Sequence, residues 1–231
     1  MQKWTQLGLA PLPDSDRALS LHQNEDDFVI RITGSGEELM STRRHGSEDA
    51  LGRLPFDEIK NSQEASVLIG GLGMGFTLAA ALDTAGRGAR ITVAELLPQV
   101  IEWNRGPLGE RSGRPLDDPR TILHAGDVTD LLRKKISAYD VIALDIDNGP
   151  EGLTSRGNDW LYSAAGISAT TDALRPGGVI AYWAATSDRI FPERVARTGA
   201  RIVERSVHAH GKKGIRHTIW LVSPLGPETT S

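Results

Sequence analysis

The chain has 231 residues and a formal net charge of −4, with 26 Lys and Arg against 30 Asp and Glu. This length can bury a real core in one main domain, and the slightly acidic balance argues against a nucleic-acid partner. The absence of cysteine excludes disulfides, thiolate metal sites and a cysteine nucleophile. The N-terminus lacks the apolar core of a signal peptide, and no apolar stretch is long enough for a bilayer. We therefore expect a cytoplasmic protein without a membrane partner.

The first sixty residues predict a small β-structure followed by a helix. Short alternating runs separated by turn formers indicate an antiparallel β-meander over 18–41. The segment GSEDALGRLPFDEI is predicted to be helical, with Ser47 as its N-cap. We expect a junction after this helix, which divides the chain into an N-terminal unit at 1–60 and a main domain at 61–231.

The main domain is predicted to alternate strands and helices. The predicted strands are 66–70, 89–95, 120–125, 139–146, 177–184, 201–209 and 217–223. Helical patterns occupy 74–85, 97–105, 128–135 and 159–174. Strands such as VLIG and VIALDI are apolar on both faces, which is typical of a parallel sheet covered by helices on each side. We predict an α/β fold with a doubly wound, mostly parallel sheet, and a C-terminal antiparallel hairpin because only HGKKGIR joins the last two strands.

A glycine-rich loop follows the first strand of the main domain. Within VLIGGLGMGF the glycines are Gly70, Gly71, Gly73 and Gly75. Glycines allow a tight turn and let a ligand lie against the backbone, at the sheet edge where open α/β proteins bind ligands. About 20 residues further on, Glu95 ends the next strand, where a carboxylate can accept hydrogen bonds from ribose hydroxyls. These two features favour a nucleoside ligand over a turn that binds nothing.

Acidic residues also follow the next two predicted strands. Asp127 can accept the exocyclic amine of adenine, cap the following helix, or do both, because a cap needs only one carboxylate oxygen. Asp145 can meet an ammonium group or cap the turn DNGP, and we favour the first role because an unpaired acid at this edge costs solvation. An acid at each strand end suits S-adenosylmethionine, which carries a ribose, an adenine amine and a cationic tail but no phosphate.

In these motifs the sequence resembles the spermidine synthase family, aminopropyltransferases with the Rossmann-like fold of class I S-adenosylmethionine-dependent methyltransferases. The resemblance covers about 41–223 and rests on SEDALGRLPF, VLIGGLGMGF, VAELLPQVIEWNR, HAGDVTDLL, YDVIALDIDNGP and LRPGGVIAYW. It implies that Glu95 holds the ribose, Asp127 faces the adenine, and Asp145 is the catalytic acid that orients and deprotonates an attacking amine. The implied donor-binding residues are Gly70, Gly71, Leu72, Gly73, Gly75, Glu95, Leu96, Gly126, Asp127, Val128 and Asp145. It also implies an N-terminal β-structure that covers the site and helps to build a homodimer.

Several positions depart from the family's pattern. The family's glycine loop carries an aspartate that binds the amine of decarboxylated S-adenosylmethionine, and here that position is Gly73. A donor that keeps its own carboxylate is therefore expected to be better tolerated, because the repelling acid is gone. The family's tyrosine and glutamine near the end of the N-terminal region are replaced by Ser47 and Glu48. The predicted acceptor-binding residues are Ser47, Glu48, Asp147, Asn148 and Trp183.

The leading hypothesis is a transferase that uses S-adenosylmethionine or its decarboxylated form to alkylate a small amine-bearing acceptor. The transferred group stays open between aminopropyl, methyl and another part of the donor. The alternatives are a non-catalytic adenosine-nucleoside sensor and an NAD-type oxidoreductase, for which the sequence offers no convincing Tyr-x-x-x-Lys pair. The basic segment at 205–217 is more typical of a solvated hairpin tip than of an anion clamp or a histidine metal site, and no metal is predicted.

Overall fold

The computed structural model describes residues 4–13, 15–145, 160–185, 189–210 and 215–224. In this part of the chain the N-terminal region forms an antiparallel sheet in the order β1–β2–β3–β4. Its strands are Thr5–Pro11 (β1), Ala18–Asn24 (β2), Asp27–Ile32 (β3) and Glu38–Ser41 (β4). Strands β2 to β4 confirm the predicted β-meander. Strand β1 is an addition, because Gly8 and Pro11 within TQLGLAP indicate a turn rather than a strand.

The main sheet has seven strands in the order β10–β11–β9–β8–β5–β6–β7. They are Ser66–Gly70 (β5), Arg90–Glu95 (β6), Thr121–Ala125 (β7), Tyr139–Leu144 (β8), Leu174–Ala184 (β9), Arg201–His208 (β10) and Arg216–Ser223 (β11). Strands β5 to β9 are parallel, whereas β11 pairs antiparallel with both β9 and β10. The predicted parallel sheet and C-terminal hairpin are therefore confirmed. The strand order reverses between β5 and β8, and such a switch point is where open α/β sheets bind ligands.

Helices pack on both faces of the main sheet. They are Gly46–Arg53 (α1), Phe76–Thr84 (α2), Pro98–Arg105 (α3), Pro107–Arg111 (α4), Val128–Lys134 (α5), Ala164–Asp172 (α6) and Ile190–Ala196 (α7), with 3-10 turns at Leu54–Asp57 and Pro115–Asp117. Val67 and Ile69 of β5 face the core that contains α1, α2 and α3, whereas Leu68 faces the core that contains α5, α6 and α7. The sheet is thus doubly wound. None of the described helices is long and apolar enough to span a membrane.

The N-terminal sheet shares a core with the main domain. Leu19 of β2 and Ile30 of β3 are buried in the same apolar cluster as Leu72 of the glycine loop and Val100 of α3. The predicted division into 1–60 and 61–231 remains a prediction. The shared cluster places the N-terminal sheet directly against the glycine loop.

The predicted cap of α1 is wrong. The helix begins at Gly46 with His45 at the N-cap position, and Ser47 lies inside the first turn. The backbone N–H of Gly46 donates to the carbonyl of Ala209 at 2.9 Å, which docks the start of α1 onto the end of β10. This long-range contact left no local signal in the sequence. The hydroxyl of Ser47 makes other bonds, which are described below.

Candidate functional site

The loop after β5 adopts a conformation that requires glycine. Gly71, Gly73 and Gly75 have φ angles of 93°, 52° and 85°, all in the left-handed region. A Cβ at Gly71 would also lie 2.2 Å from the carbonyl oxygen of Asp145. The glycines thus let the loops after β5 and β8 meet at the switch point of the sheet.

The two uncharged residues of the loop point into the core. The exposed fractions of Leu72 and Met74 are 1% and 5%, and both belong to the apolar cluster that includes the N-terminal sheet. Burial explains why neither residue is charged, since an isolated charge there would lose its hydration. Leu72 therefore shapes the loop through its side chain and offers only its backbone to the site.

An open cleft lies at the carboxyl ends of the parallel strands, with about 790 Å³ of empty space including its solvent-open mouth. Eight of the eleven predicted donor-binding residues line it: Gly71, Gly73, Glu95, Leu96, Gly126, Asp127, Val128 and Asp145. The others, Gly70, Leu72 and Gly75, do not line it. The opposite wall includes apolar residues of the N-terminal region, namely Leu12, Pro13, Leu19, Ile30 and Met40. The N-terminal sheet therefore covers the cleft.

The charge of the cleft has one sign. Among its described lining residues, Glu95, Asp127 and Asp145 are carboxylates, and none is Lys, Arg or His. Such a wall attracts cations and groups that donate hydrogen bonds, and it repels phosphate. Within the described ranges no three His, Asp or Glu side chains come together as a metal site.

Glu95 ties the glycine loop to the start of α3. Its Oε2 accepts a hydrogen bond from the backbone N–H of Leu72 at 2.9 Å, and its Oε1 accepts one from Leu97 at 2.8 Å. Burial raises the pKa of this carboxyl, and the backbone hydrogen bonds oppose that rise. Each carboxylate oxygen has two lone pairs, so acceptor capacity remains for the hydroxyls of a ligand.

The structure shows one of the two roles that the sequence left open for Asp127, the helix cap. Its Oδ1 accepts a hydrogen bond from the backbone N–H of Thr129 at 2.8 Å, which confirms the predicted cap of α5. The residue also lines the cleft. Because the cap uses one carboxylate oxygen, capping does not prevent contact with a ligand.

Asp145 follows β8 and is held by α2. Its backbone N–H donates to the carbonyl of Gly70 at 2.8 Å, and its Oδ2 accepts a hydrogen bond from Thr77 Oγ1 at 2.6 Å. Thr77 is buried in the first turn of α2. The hydroxyl of Thr77 thus orients the Asp145 carboxylate. Sequence reasoning missed this role, which the position of a threonine just after the glycine loop could have indicated.

A second group of side chains lies beside this cleft. The hydroxyl of buried Ser47 donates to Glu48 Oε2 at 2.6 Å, and His217 Nδ1 lies 2.9 Å from Ser47 Oγ. The His217 ring meets Trp183 edge-on, with 4.9 Å between the ring centroids. We call Ser47, Glu48, Trp183 and His217 the α1–β11 cluster. Its members do not line the cleft, but Thr77 Oγ1 lies 3.4 Å from the Glu48 carbonyl and so joins the cluster to Asp145.

Two other predicted acceptor residues, Asp147 and Asn148, lie outside the described residues.

Sequence reasoning also missed His217 as a neighbour of Ser47, and it missed the role of Asn104. Asn104 of α3 is buried, and its Nδ2 donates to the carbonyls of Gly73 at 2.8 Å and Val100 at 2.9 Å. Asn104 therefore holds the glycine loop against α3. The sequence feature that could have indicated this role is an amide side chain within an amphipathic helical pattern.

The sheet order and the acidic cleft at its switch point define an α/β protein of the class I methyltransferase-like type. Within that class, the family model for the spermine/spermidine synthase domain matches residues 45–193. The chain is 32% identical over 183 residues to Polyamine aminopropyltransferase 2 of Pseudomonas aeruginosa, which covers 78% of this chain and 46% of that protein. The chain therefore belongs to the spermine/spermidine synthase family, and it spans about half the length of this curated relative.

Solved structures agree on the fold. The chain is similar to the spermidine synthase of Thermotoga maritima with a TM-score of 0.72 and 19% identity, over 98% of this chain and 76% of that one. A spermidine synthase in complex with the transition state analogue AdoDATO gives a TM-score of 0.71 and 19% identity over the same shares of the two chains. The predicted fold and family resemblance are confirmed. Members of the family are transferases, and neither the sensor nor the oxidoreductase hypothesis gains support.

Proposed function

We propose that this chain transfers an aminopropyl group from decarboxylated S-adenosylmethionine to a small amine. The observation that carries the proposal is the cleft lined by Glu95, Asp127 and Asp145 and, among its described residues, by no basic side chain. Adenosine offers hydroxyl and amine donors to such a wall, and the sulfonium and amino groups of the donor offer positive charge. The family and the curated polyamine aminopropyltransferase relative support the same donor.

In this proposal each element of the cleft has a role. Glu95 accepts hydrogen bonds from the ribose hydroxyls, and Asp127 accepts one from the adenine amine. Leu96 and Val128, which flank these acids on the cleft wall, supply apolar surface for the faces of the base. Asp145 lies where β5 and β8 diverge, and we place the reacting centre there.

The reaction proceeds by direct displacement between the two substrates, without a covalent bond to the protein. The lone pair of the amine nitrogen forms a bond to the aminopropyl carbon on the sulfur, the carbon–sulfur bond breaks, and its electron pair returns to sulfur as a neutral thioether. The amine loses one proton, which Asp145 accepts. The enzyme contributes alignment and this proton transfer, and Thr77 keeps the Asp145 carboxylate in a fixed orientation.

A second donor is favoured by one observation. Gly73 has no carboxylate, and a Cβ at this position would lie 3.2 Å from the thioether sulfur of Met40. One repulsion against a donor with its own carboxylate is therefore missing, although three other acids line the cleft. Intact S-adenosylmethionine, with transfer of a methyl or another group, is the second candidate. Calorimetry with both donors separates the two: tighter binding of the carboxylated form would overturn our preference.

The experiment that tests the proposal is a product assay. The purified chain is incubated with decarboxylated S-adenosylmethionine and a panel of primary amines, and 5′-methylthioadenosine and the alkylated amine are measured by mass spectrometry. We expect both products in equal amounts with at least one amine. Donor binding without either product for every amine would contradict aminopropyl transfer and would favour the nucleoside sensor.

Assembly and location remain proposals as well. We propose a cytoplasmic homodimer built on the N-terminal sheet, whose edge strand β1 exposes Leu7 and Leu9 to 47% each. Analytical ultracentrifugation tests the assembly. A chain that sediments as a monomer at all accessible concentrations would contradict the homodimer.

A further inference from the structure

A hydrogen-bonded chain of three side chains links the C-terminal hairpin to α1. His217, near the start of β11, lies 2.9 Å through Nδ1 from Ser47 Oγ. Ser47 Oγ in turn lies 2.6 Å from Glu48 Oε2. Ser47 is fully buried, with an exposed fraction of 0%, and its hydroxyl contacts both Glu48 and His217. It therefore connects these two side chains.

The direction of the two hydrogen bonds follows from the proton count. A serine hydroxyl carries one hydrogen, so when Glu48 is ionised Ser47 donates to it and must accept from His217, whose proton then sits on Nδ1. When Glu48 is protonated, the carboxyl donates to Ser47, Ser47 donates to His217 Nδ1, and the imidazole proton sits on Nε2. The tautomer of His217 therefore reports the ionisation of Glu48.

The chain of bonds adjoins the proposed reacting centre. Thr77 Oγ1 lies 2.6 Å from Asp145 Oδ2 and 3.4 Å from the backbone carbonyl of Glu48. The hydroxyl that orients the proposed catalytic acid is thus also in contact with the first turn of α1. On the other side, the His217 ring packs edge-on against Trp183 at the end of β9. Thr77 therefore lies between the backbone of Glu48 and the carboxylate of Asp145, and the Glu48 side chain bonds to Ser47.

We infer that His217 is a positioning residue for the acceptor amine, acting through Ser47 on the carboxylate of Glu48. This inference rests on the proposed aminopropyl transfer. A cationic acceptor bound beside Asp145 favours the ionised form of Glu48, and the Nδ1–H tautomer of His217 then holds Ser47 and Glu48 in the orientation that meets the amine. The C-terminal hairpin thereby takes part in acceptor binding without contacting the acceptor.

The surroundings of Glu48 and His217 allow a nearby cation to change the ionisation of Glu48. Burial raises the pKa of Glu48, while the bond from Ser47 and the nearby His45 oppose that rise and Asp49 adds to it. Burial lowers the pKa of His217, and Arg44 lowers it further. Both groups are thus biased towards their neutral forms, and a positive charge arriving next to Glu48 shifts the balance towards the carboxylate.

Kinetics test the positioning role. His217→Asn and Ser47→Ala are each expected to raise KM for the amine by about tenfold, the equivalent of one hydrogen bond to a charged group, with KM for the donor nearly unchanged. The matched control is His22→Asn, because His22 Nε2 makes the same kind of bond to Ser20 Oγ at 3.0 Å in the N-terminal sheet. An unchanged amine KM in His217→Asn, or an equal rise in donor KM, would overturn the inference.

Nuclear magnetic resonance tests the tautomer in the wild-type chain and needs no turnover. The six histidines can be resolved in long-range ¹H–¹⁵N spectra of labelled protein, with His217 assigned from the His217→Asn spectrum. With 5′-methylthioadenosine and amine bound at pH 8, we expect the Nδ1–H tautomer, and its loss in Ser47→Ala. The Nε2–H tautomer in the liganded wild type would overturn the inference. A wild-type chain that forms no product would instead contradict the proposed function.

Discussion

The acidic cleft and the α1–β11 cluster are built in different ways. Glu95 ends a parallel strand, and Asp127 and Asp145 each come just after one, so the strand ends bring their carboxylates to one edge of the sheet. The α1–β11 cluster instead joins a helix in the N-terminal region to the ends of β9 and β11. The first arrangement is local and repeats with every βα unit, whereas the second depends on contacts between distant parts of the chain. We therefore expect substitutions in the two regions to separate donor effects from acceptor effects.

The largest effect is expected at the point where the two regions meet. Asp145→Asn removes the proposed proton acceptor but keeps the side-chain shape, so kcat should fall by roughly a hundredfold to ten-thousandfold. Donor binding, measured by calorimetry, should change little. Asp130→Asn on the exposed side of α5 is the control for loss of one acidic charge. Full activity in Asp145→Asn would show that the proton leaves by another route.

The next prediction concerns the close approach of the loops after β5 and β8. Gly71→Ala places a Cβ at 2.2 Å from the Asp145 carbonyl oxygen on a residue with φ of 93°, and we expect it to lower the free energy of unfolding by about 3 kcal/mol. Gly113→Ala is the matched control, because Gly113 has φ of 78° and no atom within 4 Å of its Cβ position. Urea unfolding measures both. If both variants lose the same free energy of unfolding, the contact between the added Cβ at position 71 and the Asp145 carbonyl has no effect on stability.

A smaller effect is expected at the hydroxyl shared by both regions. Thr77→Val keeps the side-chain volume but removes the bond to Asp145, and we expect kcat to fall about tenfold. The control is Thr84→Val in the same helix, where the hydroxyl donates to the carbonyl of Ala80. Steady-state kinetics distinguish them. A Thr77→Val enzyme with the activity of the Thr84→Val control would remove Thr77 from the proposed mechanism.

The smallest effect is expected at the pair of His45 and Asp49 at the start of α1. His45 Nδ1 lies 3.1 Å from Asp49 Oδ2, and the interaction with Asp49 raises the pKa of His45 although burial opposes the rise. A raised folded-state pKa gives stability that is present below the unfolded pKa of about 6.5 and is lost as the pH rises through the folded value.

Asp49→Asn should therefore lower the free energy of unfolding by roughly 0.5 kcal/mol more at pH 5.5 than at pH 8.5, since the pair is partly exposed. Urea titrations at the two pH values measure the difference. A cost that does not depend on pH would mean that the imidazole carries no charge in the folded chain.

The parts that the sequence could predict are those with local causes. The bounds of β5 were predicted to the residue, and the acids of the cleft follow from the rule that ligands bind at strand ends. Two other hydrogen bonds span much longer separations: 68 residues between Thr77 and Asp145, and 170 between His217 and Ser47 in the α1–β11 cluster. No periodicity or spacing can indicate such pairs. The wrong cap at Ser47 has the same cause, because a contact with Ala209 decides where α1 begins.

The central claim is that the acidic cleft holds an adenosine thioether or sulfonium. A crystal structure of the chain with 5′-methylthioadenosine tests it most directly. The account predicts the ribose hydroxyls on the carboxylate of Glu95, the adenine amine on Asp127, and the sulfur beside Asp145. An empty cleft at saturating ligand, or a nucleoside bound elsewhere with Glu95 bonded only to Leu72 and Leu97, would contradict it.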